Sequence, residues 1–357
     1  MTFIPDKPFN DLPLLPPQSD AWEQLVVYKK LAEARAALAE LKGRAPIIPN
    51  PKMLINTLAL QEAKDSSSIE NIFTTSDKLY KAFSSSMVAP DPQTKEVLRY
   101  GQSLGKAWVE MRNSGWNIGI MENIYRTIKE SQDGVRDQEV FVGNRFQVVY
   151  TPPCCKEVIN QKLTNWIAFA KSMDTVDPVI KMALLHYQFE AIHPFSDGNG
   201  RTGRILNVLH LCQTGLLDQP ILYLSRYINE HKNDYYRLLR EVTEKGNWQD
   251  WILYMLSAVA ETSKDTLKMI NEIFELFERT LERVKAEQPR IYSYELVEVL
   301  FHQPYCKIGF LVDHGVAQRN AASRYLTKLE EIGILHQEKS GTEQLYLNTE
   351  LFKLLSR

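Results

Sequence analysis

The stretch His193-Pro194-Phe195-Ser196-Asp197-Gly198-Asn199-Gly200-Arg201-Thr202-Gly203-Arg204 decides how this chain is read. It joins two apolar helical patterns. The first, over 178–192, is hydrophobic nearly all round (Val179, Ile180, Met182, Leu184, Leu185, Phe189, Ile192), as expected of a helix buried in a core. The second starts near Arg201 and carries Ile205, Leu206, Val208, Leu209 and Cys212 on a broad apolar stripe. In the loop between them, Gly198 and Gly200 allow backbone conformations closed to other residues and let main-chain N–H groups come close to a ligand. The following helix offers its N-terminal amides and the positive end of its dipole. Arg201 and Arg204 are one turn apart and face the same way. The sum is an anion nest with two guanidinium forks, suited to a polyphosphate rather than a carboxylate. Asp197 at its edge can carry a Mg²⁺ that bridges phosphate oxygens, and His193 is placed to act as a base.

Two lookalikes fail. Residues 198–203 match GxGxxG, but a dinucleotide-binding fingerprint follows a strand inside a βαβ unit, and a buried helix precedes this one. As a P-loop the stretch has Arg204 in place of the lysine and Ile205 in place of the hydroxyl that ligates magnesium.

At every defined position the stretch resembles the HxFx(D/E)GNGRxxR signature of the Fic (filamentation induced by cAMP) family. The resemblance implies a protein adenylyltransferase, which moves AMP from ATP to a hydroxyl of a target protein and releases pyrophosphate. It implies His193 as the base that deprotonates a Ser, Thr or Tyr hydroxyl, and Asp197 as the Mg²⁺ ligand. The implied ATP site spans Gly198, Asn199, Gly200, Arg201, Thr202, Gly203 and Arg204. Loop amides and Asn199 would bind the α- and β-phosphates, Arg201 the triphosphate and Arg204 the γ-phosphate. Tyr235 and Tyr236 fall where relatives place a tyrosine pair near the adenine. Ser66-Ser67-Ser68-Ile69-Glu70-Asn71 resembles the family's inhibitory (S/T)xxxE(G/N) motif. Ser66 and Glu70, at i and i+4, share a helix face. The implied inhibition sets Glu70 against Arg204 in the γ-phosphate position. UMP, phosphocholine or phosphate transfer, or removal of AMP, stay open as other chemistry within the family.

Outward from the motif the chain reads as mainly α. Val140-Phe141-Val142 and Phe146 to Tyr150 flank Gly143-Asn144 as a β-hairpin. In the family a hairpin at this place, about 136–151, is a flap whose edge receives a target segment as an added strand. Residues 1–18 hold five prolines and read as an extended surface arm. Ser19 is then the expected N-cap, and Gly43 the expected C-cap, of a first helix. Helical spacing recurs at about 52–65, 93–130 (interrupted at Gly115 and Gly119), 155–173, 231–245, 247–262 and 264–287. These patterns divide the chain into an N-terminal helical region (1–92), a catalytic core (93–262), a connector helix (263–288) and a winged-helix-like unit (289–357). That unit is expected to hold two short helices, a third at 317–332, and strands at 334–336 and 344–347.

Composition bounds the rest. The chain has 357 residues, 44% hydrophobic and 24% charged, enough for two or three domains at roughly 150 residues each. Four cysteines, two of them the adjacent Cys154 and Cys155, make no disulfide framework, which favours a reducing, cytoplasmic setting. No apolar run reaches the roughly 18 residues of a membrane span. With 42 basic against 44 acidic residues there is no global basic field. Residues 286–357 hold eight Lys or Arg and nine Asp or Glu, so duplex DNA has weak electrostatic support as a partner despite Arg319, Arg324 and Lys328 on the third helix of the tail. A protein-binding or homodimerising module is the other use of that tail.

Overall fold

The structure, a computed structural model, describes residues 3–47, 51–85, 89–143, 146–340 and 343–356, leaving aside the side chains of 51–56 and 340. In chain order the elements are α1 (Leu25–Arg44), α2 (Pro51–Ile69), α3 (Ser76–Ser84), α4 (Pro92–Ser114) and α5 (Ile118–Lys129). The hairpin β1 (Val142–Gly143) and β2 (Val148–Tyr150) leads to α6 (Lys156–Lys171), α7 (Pro178–Ile192), α8 (Asn199–Gln213), α9 (Leu224–Glu230), α10 (Lys232–Lys245) and α11 (Trp248–Glu287). The chain closes with α12 (Tyr294–Phe301), β3 (Tyr305–Cys306), α13 (Ile308–Asp313), α14 (Arg319–Glu331), β4 (Leu335–Ser340), β5 (Glu343–Asn348) and α15 (Thr349–Leu355).

The central helix is α7. The Val179 N–H donates to Asp177 Oδ1 at 2.8 Å, and Pro178 occupies the first turn, where no N–H is needed. Its residues are buried on every face. The helix packs against α6, α8 and α11. It ends in His193, whose left-handed backbone (φ 50°, ψ 58°) turns the chain into the motif loop. Close approach of α8 to α7 requires a glycine at 203: a Cβ there would stand 2.4 Å from Glu190 Oε1 and 3.2 Å from Phe189 Cδ1. We expect Gly203→Ala to destabilise the protein by about 1–3 kcal/mol, read as a lowered thermal midpoint.

Several elements depart from the expected boundaries. The patterns at 247–262 and 264–287 form one helix, α11, because nothing between them breaks a helix. It packs along α1 and touches α7, α9, α10, α12 and α15. Ser19 opens only a single 3₁₀ turn over Ser19–Ala21, and α1 starts at Leu25 and runs through Gly43, which stays in the helix. Likewise α2 continues through the serine run to Ile69, and Gly119 lies inside α5. The flap strands are shorter than their β-branched runs, pairing Val142 with Tyr150 and Gly143 with Val148. Gly143 thus belongs to the ladder rather than to the turn. Asn144, the other expected turn residue, lies outside the described residues, as does Gly341 of the C-terminal pair.

The N-terminal arm is held rather than merely laid down. The Leu15 N–H donates to Asn165 Oδ1 (2.8 Å), Gln188 Nε2 to the Pro13 carbonyl (2.8 Å) and Lys162 Nζ to the Leu12 carbonyl (2.6 Å), while Leu12 and Leu15 are buried. At the other end, β3, β5 and β4 form an antiparallel sheet in that order, with β4 and β5 in register from Leu335–Asn348 to Ser340–Glu343. On α14 Lys328 is paired with Glu331 at 2.5 Å. Among the described residues no helix is long and apolar enough to cross a membrane.

Candidate active site

The motif loop is built from the inside. Phe195 is buried and stacks on Tyr125, with ring centroids 4.4 Å apart and planes 4° from parallel. The buried Asn199 side chain closes the loop: it accepts from the Phe195 N–H at 2.9 Å and donates to the Phe195 carbonyl at 2.7 Å. Thr202 Oγ1 donates to the Gly198 carbonyl at 3.0 Å. Gly198, left-handed at φ 70°, starts α8. Asn199 and Thr202 thus shape the cradle with their side chains and leave the ligand-facing surface to backbone. The first-turn amides of α8 lack intrahelical partners, as at any helix start.

The two arginines separate. Arg201 is buried and is not among the residues lining the cavity, with Nη1 2.6 Å from Glu96 Oε1. Glu96 also meets Lys129 at 3.1 Å, and Lys129 meets Asp197 at 2.7 Å. Burial works against ionising Asp197, but the Lys129 ammonium outweighs it and holds the carboxyl below its usual range. Asp197 remains 64% exposed at its side chain. Among the described residues no three His, Cys, Asp or Glu groups cluster so as to hold a metal. A single exposed carboxylate beside a phosphate cradle still fits Mg²⁺, which keeps most of its waters and takes one or two carboxylates plus substrate phosphates.

Arg204 faces the cavity and is already occupied. Its Nε donates to Ser66 Oγ at 2.7 Å, and Nη2 to the Ser66 carbonyl at 2.9 Å and to Glu70 Oε1 at 2.8 Å. The end of α2 presents these groups through a Schellman turn. The Ile72 N–H bonds the Ser67 carbonyl, the Asn71 N–H bonds the Ser68 carbonyl, and Asn71 is left-handed at φ 60°. A residue tolerant of that conformation is therefore required directly after Glu70. A Cβ on Gly200 would lie 2.4 Å from Glu70 Oε1, so the carboxylate rests on the first turn of α8. Lys232 Nζ further ties α2 down through the Ile69 carbonyl at 2.5 Å.

Glu62, buried on α2, fastens the same helix. It accepts from Tyr100 Oη at 3.0 Å, from the Ser225 N–H at 3.1 Å and from Ser225 Oγ. Burial pushes its pKa up to about 7. A carboxyl titrating higher in the folded than in the unfolded protein contributes stability below the unfolded pKa of about 4.3, lost as pH rises through about 7. Glu62 thus contributes a fall in the thermal midpoint between pH 5 and pH 8, set against the rise contributed by buried His186, His193 and His210, whose pKa values burial lowers. Glu62→Gln should flatten that fall while losing about 1 kcal/mol for the one bond an amide nitrogen cannot accept.

His193 lines the same cavity. Its Nδ1 is 3.3 Å from the Glu190 carbonyl, which can only accept, so Nδ1 carries the proton and Nε2 the free lone pair. Burial, aided by Arg136, pushes its pKa down to about 4, and the ring is neutral at physiological pH. The cavity, about 400 Å³, runs from Gly200, Arg204 and Glu70 past His193 to Tyr235 and Tyr236. Tyr235 is buried and bonded to His186 Nε2 at 2.9 Å, whereas Tyr236 is 46% exposed. Val142 and Gly143 of the flap form part of the wall.

Three contributors carry little sequence signal. Glu190 faces the cavity with Oε1 lacking a hydrogen-bond partner, and burial pushes its pKa up to about 8. As the lone carboxylate on a largely apolar helix, it is the one of the three with a sequence signal. Phe3 of the arm also lines the cavity and stacks on Tyr150, with centroids 5.7 Å apart. Arg136 lies behind His193.

A helical core whose left-handed histidine leads into a glycine-rich helix start, faced by a short edge hairpin, defines a Fic-type fold. The sequence matches bear this out: residues 28–108 match the Fic/DOC family N-terminal domain, 116–211 the Fic/DOC family domain, and 276–351 the domain described as "Protein adenylyltransferase SoFic-like, C-terminal domain". The chain carries the Fic/DOC family domains and belongs to that family. It is 30% identical over 135 residues to a probable protein adenylyltransferase of Aquifex aeolicus, covering 38% of this chain and 41% of that protein. It is 29% identical over 123 residues to the protein adenylyltransferase fic-1 of Caenorhabditis elegans, covering 34% and 22%. The matched stretch thus spans less than half the length of either relative. Among solved structures, a Fic family protein from Desulfovibrio desulfuricans superposes with a TM-score of 0.56 at 18% identity, over 90% of this chain and 96% of that one. Fic-1 from C. elegans gives 0.52 at 18% identity, over 70% and 73%.

Proposed function

We propose that this chain is a protein adenylyltransferase that moves AMP from ATP to a Ser, Thr or Tyr hydroxyl of a target protein and restrains itself with Glu70. The observation that carries the reading is the single cavity in which a neutral histidine, a helix N-terminus with a buried arginine, an aromatic end and a hairpin edge meet. The phosphates lie along the first turn of α8 and Arg204, with the base toward Tyr235 and Tyr236. His193 Nε2 takes the proton of the incoming hydroxyl as its oxygen attacks the α-phosphorus, and the bond to pyrophosphate breaks. The helix dipole and guanidinium stabilise the charge gathering on the leaving group. Mg²⁺ held at Asp197 would supply further neutralisation of the phosphates. The target segment adds to the flap edge, presenting its hydroxyl beside His193. Arg201 acts indirectly, holding the loop through Glu96. We read the C-terminal unit as a winged helix serving partner contact.

Restraint follows from competition. Glu70 holds the guanidinium edge of Arg204 that a γ-phosphate would take and lies against Gly200, so a triphosphate enters productively only when the end of α2 moves. The test is intact-mass measurement of a Glu70→Gly protein incubated with Mg²⁺ and ATP, with pyrophosphate release followed in parallel. One adenylyl group on protein per pyrophosphate is expected, and release of pyrophosphate without protein modification would refute the assignment.

A further inference from the structure

We infer that Arg136 is a positioning residue that sets the backbone of His193 and couples it to the flap, an inference that rests on the proposed role of His193 as base. The Arg136 guanidinium donates to four carbonyls: Nε to His193 at 2.7 Å, Nη2 to Ile192 at 3.3 Å and to Pro153 at 2.8 Å, and Nη1 to Gln138 at 2.7 Å. Its own N–H donates to the Pro194 carbonyl at 2.9 Å. These acceptors belong to three separate stretches: the entry to the motif loop, the chain entering the flap hairpin and the chain leaving it. Arg136 is buried, and among the described residues it makes no close ion pair, although the Glu139 charge reaches it. A buried charge is costly to keep, and the hydrogen bonds of this guanidinium all go to backbone carbonyls. A planar fork with five donors can reach four diverging carbonyls, whereas the three donors of a lysine on a single nitrogen cannot.

His193 gives this geometry a purpose. Its left-handed backbone is unfavourable for a residue with a Cβ, so the surroundings must hold it, and the Arg136 bond to its carbonyl does so directly. A target strand added to the flap shifts the Gln138 and Pro153 carbonyls, and the same guanidinium carries that shift to the base. The positive charge also favours the neutral imidazole. Charges besides Arg136 that reach His193 come from Glu70 at the end of α2 and Asp197 in the motif loop, and Glu190 on α7, Arg204 on α8 and Tyr235 and Tyr236 on α10 line the same cavity.

The test compares Arg136→Lys and Arg136→Gln, both in a Glu70→Gly parent, by ATP affinity, transfer rate and NMR titration of the His193 imidazole. Both variants should bind ATP within about threefold of the parent while transfer falls at least tenfold, because misplacing a reacting group by about 1 Å costs up to about 100-fold. Arg136→Gln should raise the His193 pKa by about half a unit or more, since a nearby positive charge is removed, and Arg136→Lys should leave it nearly unchanged. Transfer within twofold of the parent in both variants would overturn the inference. So would loss of ATP binding and rate in parallel with no change in the His193 titration, or failure of both variants to fold, either of which would make Arg136 a folding residue only. Absence of transfer in the parent counts against the proposed activity instead, and the titration, which needs no turnover, then decides the role of Arg136.

Discussion

Replacing His193 by alanine in a Glu70→Gly background should lower AMP transfer by about 10²–10⁴-fold, the range a general base contributes, with ATP affinity nearly unchanged. The phosphate contacts come from the first turn of α8 and from Arg204, which the substitution leaves in place. A second variant separates chemistry from backbone. Position 193 is left-handed, where alanine is disfavoured by about 1–2 kcal/mol and asparagine is tolerated. His193→Asn should therefore keep the thermal midpoint closer to the parent than His193→Ala does, yet show the same loss of transfer. Recovery of activity in the asparagine variant would remove His193 from the role of base and leave it as a turn residue.

The next largest effect is expected at Glu70. Glu70→Gly should raise transfer and tighten productive ATP binding by about 5–150-fold, the span of a coupling of about 1–3 kcal/mol. Glu70→Gln distinguishes charge from bulk, because an amide keeps the volume over Gly200 but competes weakly with phosphate for Arg204. An intermediate gain is expected there. The release costs stability, since Arg204 is buried and loses its only carboxylate partner among the described residues, although Ser66 still accepts two of its bonds. The thermal midpoint of Glu70→Gly without nucleotide should fall, and ATP should restore it by more than it raises the unsubstituted protein, as expected when a ligand replaces a lost internal anion. A midpoint and an ATP response unchanged from the unsubstituted protein would mean that Glu70 restrains nothing.

The motif was legible because its parts are local. Gly198, Gly200 and Arg204 lie within seven residues, and a helix start after a glycine loop can cradle an anion. The pairing of Glu70 with Arg204 was legible only through the resemblance of residues 66–71 to the inhibitory motif; the i, i+4 spacing set Ser66 on the same face, and its two bonds to Arg204 come from the structure. Side-chain direction was not legible. Arg201 and Arg204 share a face by spacing, but only Arg204 lines the cavity while Arg201 pairs with Glu96 on α4, and nothing near residue 96 announces that contact. The resemblance sets Asn199 beside phosphate, and the sequence does not show that its side chain bonds both the N–H and the carbonyl of Phe195. Arg136 and Phe3 come from stretches without helical or motif signal, and Glu62 is an unmarked polar residue on the helical pattern at 52–65, so only the folded packing shows what each touches. The sequence divides α11 in two because the charged stretch 264–287 reads as a separate connector, yet no glycine or proline is present to end a helix there.

The most direct test of nucleotidyl transfer compares Glu70→Gly protein incubated with ATP labelled at the α-phosphate and, separately, at the γ-phosphate. Label from the α position should appear on protein, and should be lost in the Glu70→Gly, His193→Ala double variant, while label from the γ position should leave as pyrophosphate. Protein labelled from the γ position and not from the α position would mean phosphate transfer and would contradict the assignment.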